Sequence, residues 1–235
     1  MGSMLHSGLP VALSVLLGSC SAERPADPPF ARPPAEASLG SVRDTGVFAQ
    51  VCASCHGPGG EGREELFSPS IAGLPAWYTE EQLRKFRGGL RGFHREDIPG
   101  QQMRAVSLTL SQEQISEVAA LVAEMPMVST GAPPDGADIE RGRFHFANTC
   151  MECHRYNGMG EVVFHSAPLI SLNRSYLKRQ LMNYRSGWRG ADPGDLYGHK
   201  MVGIAARLSD AEIDRLVDYI GALAHGDDPR RAREK

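Results

Sequence analysis

The residues best able to do chemistry in this 235-residue chain are its five cysteines, four of which form two pairs. Cys52 and Cys55 are followed by His56, and Cys150 and Cys153 are followed by His154. Two thiols at this spacing beside an imidazole suit three kinds of chemistry. They can bind zinc, cycle through a disulfide, or add across the two vinyl groups of a haem. Zinc needs four ligands close together, usually two Cys-x-x-Cys pairs about 15–20 residues apart. Here the pairs are 98 positions apart. A redox pair belongs in a βαβ setting, and the chain has no alternating strand pattern of useful length. A structural disulfide would not call for the histidine. Cys-x-x-Cys-His is the spacing of c-type haem attachment: the spacer sets both sulfurs on one side of a helical turn, and the histidine faces the iron.

A shift of 98 aligns much more than the motif. It pairs Tyr78 with Tyr176, Leu83 with Leu181, Arg87 with Arg185, Gly89 with Gly187, Arg91 with Arg189 and Gly92 with Gly190. Further on it pairs Met103 with Met201, Leu110 with Leu208, Ser111 with Ser209 and Ile115 with Ile213, without a gap. The chain is therefore a duplication, with one copy over 44–126, a linker over 127–136 and a second copy over 137–225.

An axial ligand opposite the histidine should recur in register. Met103 and Met201 do so, each 47 residues after its histidine. His94, His145, His165 and His199 pair with Asp192, Val47, Phe67 and Gln101, so no other histidine is shared. His199 is the local competitor, two residues before Met201. A lone methionine is usually a gap-filler; a pair in register reads as two thioether ligands.

The elements that must hold these groups are helical. Segments 78–89 and 175–187 space apolar residues at the helical period and end in glycine, while 110–125 and 208–223 are more strongly patterned. Ser111 with Gln114, and Ser209 with Glu212, have the spacing of capping boxes. The fold class is all-α, two tandem small domains. Aromatics make up only 7% of the chain, so a bound apolar cofactor would help two thin cores. Ahead of them, residues 1–20 contain an apolar stretch of export-signal length ending Leu17-Gly18-Ser19-Cys20, which resembles a lipobox with Cys20 as the lipidated residue; simple secretion with cleavage nearby and an uncleaved anchor are the alternatives. Pro/Ala-rich 21–43 reads as a tether, and 226–235 as a charged tail. Net charge is −3 with a pI near 6.2, so no basic field points to nucleic acid. The first copy has 11 acidic and 7 basic residues, and the second 10 and 11. This asymmetry biases which end meets which partner.

Both copies resemble class I cytochrome c domains: an aromatic residue before the motif, a Tyr…Gln-Leu…Arg-x-Gly-x-Arg region, a methionine, then Leu-Ser and a closing helix. In tandem they resemble dihaem cytochromes of the c-four type. The resemblance implies two covalently bound haem c groups and single-electron transfer between periplasmic redox proteins, such as a cytochrome complex, a terminal oxidase or a dehydrogenase. It implies that Phe48 and Phe146 pack near Leu121 and Tyr219, and that Pro69 and Pro168 offer carbonyls to the proximal histidines. Arg87, Arg91, Arg185 and Arg189 match arginines near haem propionates. With His56, Met103, His154 and Met201 on the two irons, no coordination site stays open, which argues against a dihaem peroxidase. The alternative context is a haem subunit fixed to a membrane oxidase, a quinol-oxidising complex or a periplasmic dehydrogenase, for which the lipid anchor on Cys20 would suit.

Overall fold

Capping side chains start the helices at 98, 112, 196 and 210, in register in the two copies, whereas those at 76 and 174 have no side-chain cap. A computed structural model of the chain describes residues 2, 46–128 and 131–226. Cys20, the export signal and the tether lie outside them, as do 129–130 of the linker and the tail beyond 226. In the first copy a π-helical turn, Phe48–Cys52, runs into α1 (Ala53–His56), followed by α2 (Ala76–Arg87), α3 (Ile98–Thr109) and α4 (Gln112–Glu124). The second copy has α5 (Ile139–Thr149), α6 (Met151–His154), α7 (Arg174–Arg185), α8 (Leu196–Ala205) and α9 (Asp210–Ala224).

Both expected capping boxes are formed. Ser111 and Ser209 accept from the backbones of Gln114 and Glu212, whose side chains return the bond. Asp138 caps α5. Asp97 and Asp195, in register, cap α3 and α8 by accepting from Gly100 N and Gly198 N at 3.2 and 3.0 Å. A Cβ on Gly100 or Gly198 would collide with the capping carboxylate, which would have to move out of its capping position. Among the described residues no strand forms; isolated bridges, Arg63 with Ser68 and Glu161 with Ser166, pin the loops after each haem motif.

The closing helix packs against the entry helix in the second copy and against α2 in the first. Phe146 meets Tyr219 at 5.3 Å between ring centroids, and Phe48 shares the buried core with Leu121. At the crossing of α5 and α9, a Cβ on Gly142 would clash with the Arg215 carbonyl and lie 2.8 Å from Tyr219 Cβ, so glycine allows the backbones to touch. No described helix is long and apolar enough to cross a membrane.

Candidate functional site: two cavities with a common wall

Each copy encloses a cavity of haem-accommodating chemistry. The first, about 490 Å³, has Cys52, Cys55, His56 and Met103 in its wall. The second, about 480 Å³, has Cys150, Cys153, His154 and Met201. All eight residues expected from the sequence are thus brought together in two sets of four. Cys55 and His56 lie on the short helix α1 and Cys153 and His154 on α6, while Cys52 ends the π-helical turn and Cys150 stands between α5 and α6. The methionines come from α3 and α8, two helices that the apolar period did not reveal. His199 is exposed, bonds through Nδ1 to the Gly190 carbonyl at 3.2 Å and lies outside the cavity wall in which Met201 stands.

His56 Nδ1 donates to the Pro69 carbonyl at 2.9 Å, and His154 Nδ1 to the Ala167 carbonyl at 2.8 Å. The expectation of Pro168 as the second acceptor is therefore corrected. Ala167 is the residue in register with Pro69, so the backbone position recurs while the residue type does not. Burial holds both imidazoles below their ordinary value, more strongly than the carbonyl bonds raise them. Each is therefore neutral near pH 7, with its Nδ1 committed to the carbonyl. Burial, with a smaller contribution from the neighbouring thiol, pushes Cys52 up to about 11 and Cys150 up to about 12. Among the described residues no group of three or more His, Cys, Asp or Glu could hold a metal ion.

The cavities share a wall. Tyr78, Gln82, Tyr176 and Gln180 line both. Between them two guanidinium groups, Arg91 and Arg189, are each only 6% exposed. Gln82 Oε1 accepts from Arg91 at 2.8 Å and Arg189 at 3.0 Å; Gln180 Oε1 accepts from Arg189 at 2.7 Å and Arg91 at 3.2 Å. Arg91 also donates to Tyr176 Oη at 2.6 Å, and Arg189 to Tyr78. Each guanidinium lies over an aromatic ring of its own copy, Phe86 at 4.3 Å and Tyr184 at 4.6 Å.

Two buried cations held only by neutral acceptors are unstable without an anion nearby. In the first cavity Arg91 Nε, Arg179 Nε and Thr79 Oγ1 are buried without hydrogen-bond partners. Carboxylates entering the cavity would satisfy them, and the propionates of a bound haem would supply such groups. The remaining wall is largely apolar, with Leu74, Leu83 and Val118 in the first cavity and Leu172, Leu177 and Leu216 in the second. The residues present fit the group. Of the four arginines singled out in the sequence, Arg91 and Arg189 lie in the cavity walls. Arg87 and Arg185 do not, and Arg185 instead bonds the Leu208 carbonyl at 3.0 Å and Asp210 at 2.5 Å.

The paired glutamines had no assigned role in the sequence reading, and the capping aspartates were missed. Both pairs carry a signal that was available, since Gln82/Gln180 and Asp97/Asp195 are in the same register of 98 as the methionines. Arg179, which reaches the first cavity from the second copy, breaks the repeat: its counterpart is Glu81.

This helical pair of cavities, each with a Cys-x-x-Cys-His motif, matches the family model described as Cytochrome c over residues 45–126 and 139–224. The chain belongs to that family, as a dihaem class I cytochrome with two covalently bound haem c groups that transfers electrons. It is 34% identical to a thiosulfate dehydrogenase electron acceptor of Stutzerimonas stutzeri (strain A1501) over 180 residues, 73% of this chain and 78% of that one. Reduced recombinant cytochrome c4 from Pseudomonas stutzeri superposes with a TM-score of 0.61 at 26% identity, covering 78% of this chain and 95% of the other. Thiosulfate dehydrogenase (TsdBA) from Marichromatium purpuratum gives 0.59 at 29% identity; there 72% of this chain matches only 36% of the longer one.

Proposed function

We propose that His56 with Met103, and His154 with Met201, would ligate the irons of haems held through Cys52 and Cys55 and through Cys150 and Cys153. On this reading the protein is a carrier of single electrons between periplasmic redox partners and has no catalytic site of its own. The observation that supports it is the meeting of each set of four side chains on the wall of one cavity. Each haem, when bound, gains or loses one electron. The chain's own residues do the rest. Two carbonyls orient the neutral imidazoles. Met103 and Met201 supply a weaker donor than a second imidazole and so favour the ferrous state. Arg91 and Arg189 bring positive charge that would hold propionates and favour an added electron. The shared Tyr/Gln wall gives a short passage between the two sites.

The likeness to a thiosulfate dehydrogenase electron acceptor supports a periplasmic dehydrogenase as donor. Lipid on Cys20, with 21–43 as tether, would keep the carrier at the membrane and raise its local concentration beside an oxidase. The match to about a third of the TsdBA chain favours a second reading, a haem unit fixed within a dehydrogenase. Anaerobic mixing of the oxidised holoprotein with a purified thiosulfate dehydrogenase and thiosulfate should reduce both haems rapidly; no reduction would remove that partner. Recovery from native membranes only in a stoichiometric complex would favour the second reading. Replacing Met103 or Met201 by Ala should each remove half of the weak long-wavelength absorption of methionine-ligated ferric haem. Rapid CO binding to the reduced native protein would overturn the closed ligand set.

A further inference from the structure

Among the positions beside the cavities where the copies differ, one gives the second copy an imidazole. Where the first has Phe67, the second has His165, and both backbones are left-handed, with φ of 56° and 49°. His165 forms part of the second cavity's wall. Its ring is stacked on Tyr197 of α8, 4.1 Å between centroids and 16° from parallel, and meets the edge of Trp77 of α2. Its Nδ1 lies 2.8 Å from Glu81 Oε2, across the boundary between the copies. The other oxygen of Glu81 is 2.5 Å from Lys85 Nζ, which is 2.9 Å from Asp195 Oδ1 at the start of α8. Lys200, also of α8, sits over Tyr197 at 5.1 Å. The charged groups about His165 are therefore Glu81 and Lys85 from α2, and Asp195 and Lys200 from the start and body of α8. In the first copy the equivalent Phe67 faces Arg179, a cation that does not titrate.

We propose that His165 is a proton-binding site coupled to the electron held in the second cavity. The inference rests on a haem ligated by His154 and Met201 occupying that cavity. When a one-electron donor reduces the iron, the cavity gains one negative charge. Nδ1–H stays on Glu81, and Nε2 of the part-exposed ring takes up to one proton from water to offset the charge. One electron enters the iron and up to one proton enters the imidazole; only an N–H bond forms. Protonated His165 favours the added electron, so the potential of the second haem falls as rising pH removes that proton. By reciprocity, the reduced protein binds this proton more tightly than the oxidised one. Phe67 gives the first cavity no such group at that position.

The test is potentiometric titration of the intact holoprotein between about pH 5 and pH 8, where imidazoles titrate, alongside NMR titration of the His165 ring in the fully reduced and fully oxidised states. Two one-electron steps are expected. The step assigned through the Met201 methyl resonance should move down with rising pH, and the His165 proton affinity should be severalfold higher in the reduced protein. His165→Phe, which installs the residue the first copy uses, should flatten that movement. Glu81→Gln keeps the ring but withdraws its carboxylate, so the movement should shift to lower pH. Persistence of the full pH dependence in His165→Phe would assign it to another group and overturn the proposal. Equal proton affinity of His165 in the two redox states of the unmutated protein would overturn it without any variant. The two steps and the Met201 signal of the unmutated protein report on the ligand assignment separately.

Discussion

A protein built around two cavities of this size should not hold its fold when one is emptied. Changing Cys150 and Cys153 together to Ser removes both attachment points in the second copy, so that haem is lost while the first is retained. The vacated space is about 480 Å³. At about 24 cal/mol per Å³ of unfilled cavity, leaving it empty would forfeit roughly 11 kcal/mol. Total stability is typically about 5–15 kcal/mol, so this loss consumes most or all of it. Letting water in offers little relief, because Leu172, Leu177 and Leu216 would be wetted. The second copy should therefore unfold, and its loss should reach the first through Tyr176 and Gln180, which stand in the first cavity's wall. Limited proteolysis read by mass spectrometry should show cuts concentrated in 137–225, with a matching loss of far-UV helical signal. A one-haem variant that kept full helicity and native protease resistance in 137–225 would refute the reasoning.

Gly142→Ala should destabilise the second copy by about 3 kcal/mol, because the new methyl drives α5 off the Arg215 carbonyl; an unchanged thermal midpoint would contradict this. Gln180→Leu removes the acceptor shared by Arg91 and Arg189 and should cost about 1–3 kcal/mol, measurable by denaturant titration. Ser209→Ala should lose about 1 kcal/mol as the box closing the start of α9 opens, seen as a lower thermal midpoint. The backbone and side chain of Ser209 hold Glu212 below its usual value of 4.5. The support Glu212 gives is thus complete above the usual carboxylate range and fades as pH falls through its lowered folded value. Glu212→Gln, which copies Gln114 of the first copy, should make that cap insensitive to acid; equal acid sensitivity in both proteins would count against it.

The duplication made most of the site legible. A lone Cys-x-x-Cys-His leaves several chemistries open, but two in register, with methionines at one common offset, mark both ends of each cavity. The closing helices were readable because each buries one apolar face against protein and starts at a capping box. The methionine helices were not, for two physical reasons. Their first turns, Ile98-Pro99-Gly100 and Leu196-Tyr197-Gly198, contain residues that look like turn formers, and Asp97 and Asp195 make them helix starts instead. One side of each helix also faces a cavity rather than other side chains, so the apolar period is weak. The acceptor on His154 was misassigned because a backbone carbonyl leaves no mark in residue type. The tyrosines and glutamines of the common wall recur like core residues, and their purpose emerges only when the two copies meet.

The square of Arg91, Gln82, Arg189 and Gln180 is an isologous interface, the kind that joins identical subunits about a twofold axis. Here both halves sit on one chain. Separate monomers would have to find one another, and the fraction paired would fall on dilution. Tethered halves are paired at every concentration, so an electron step between them would be first order, with a rate independent of how much protein the cell makes. Joining the halves also freed them to diverge. Glu81 against Arg179 and Phe67 against His165 are differences that a symmetric dimer of one gene product could not hold.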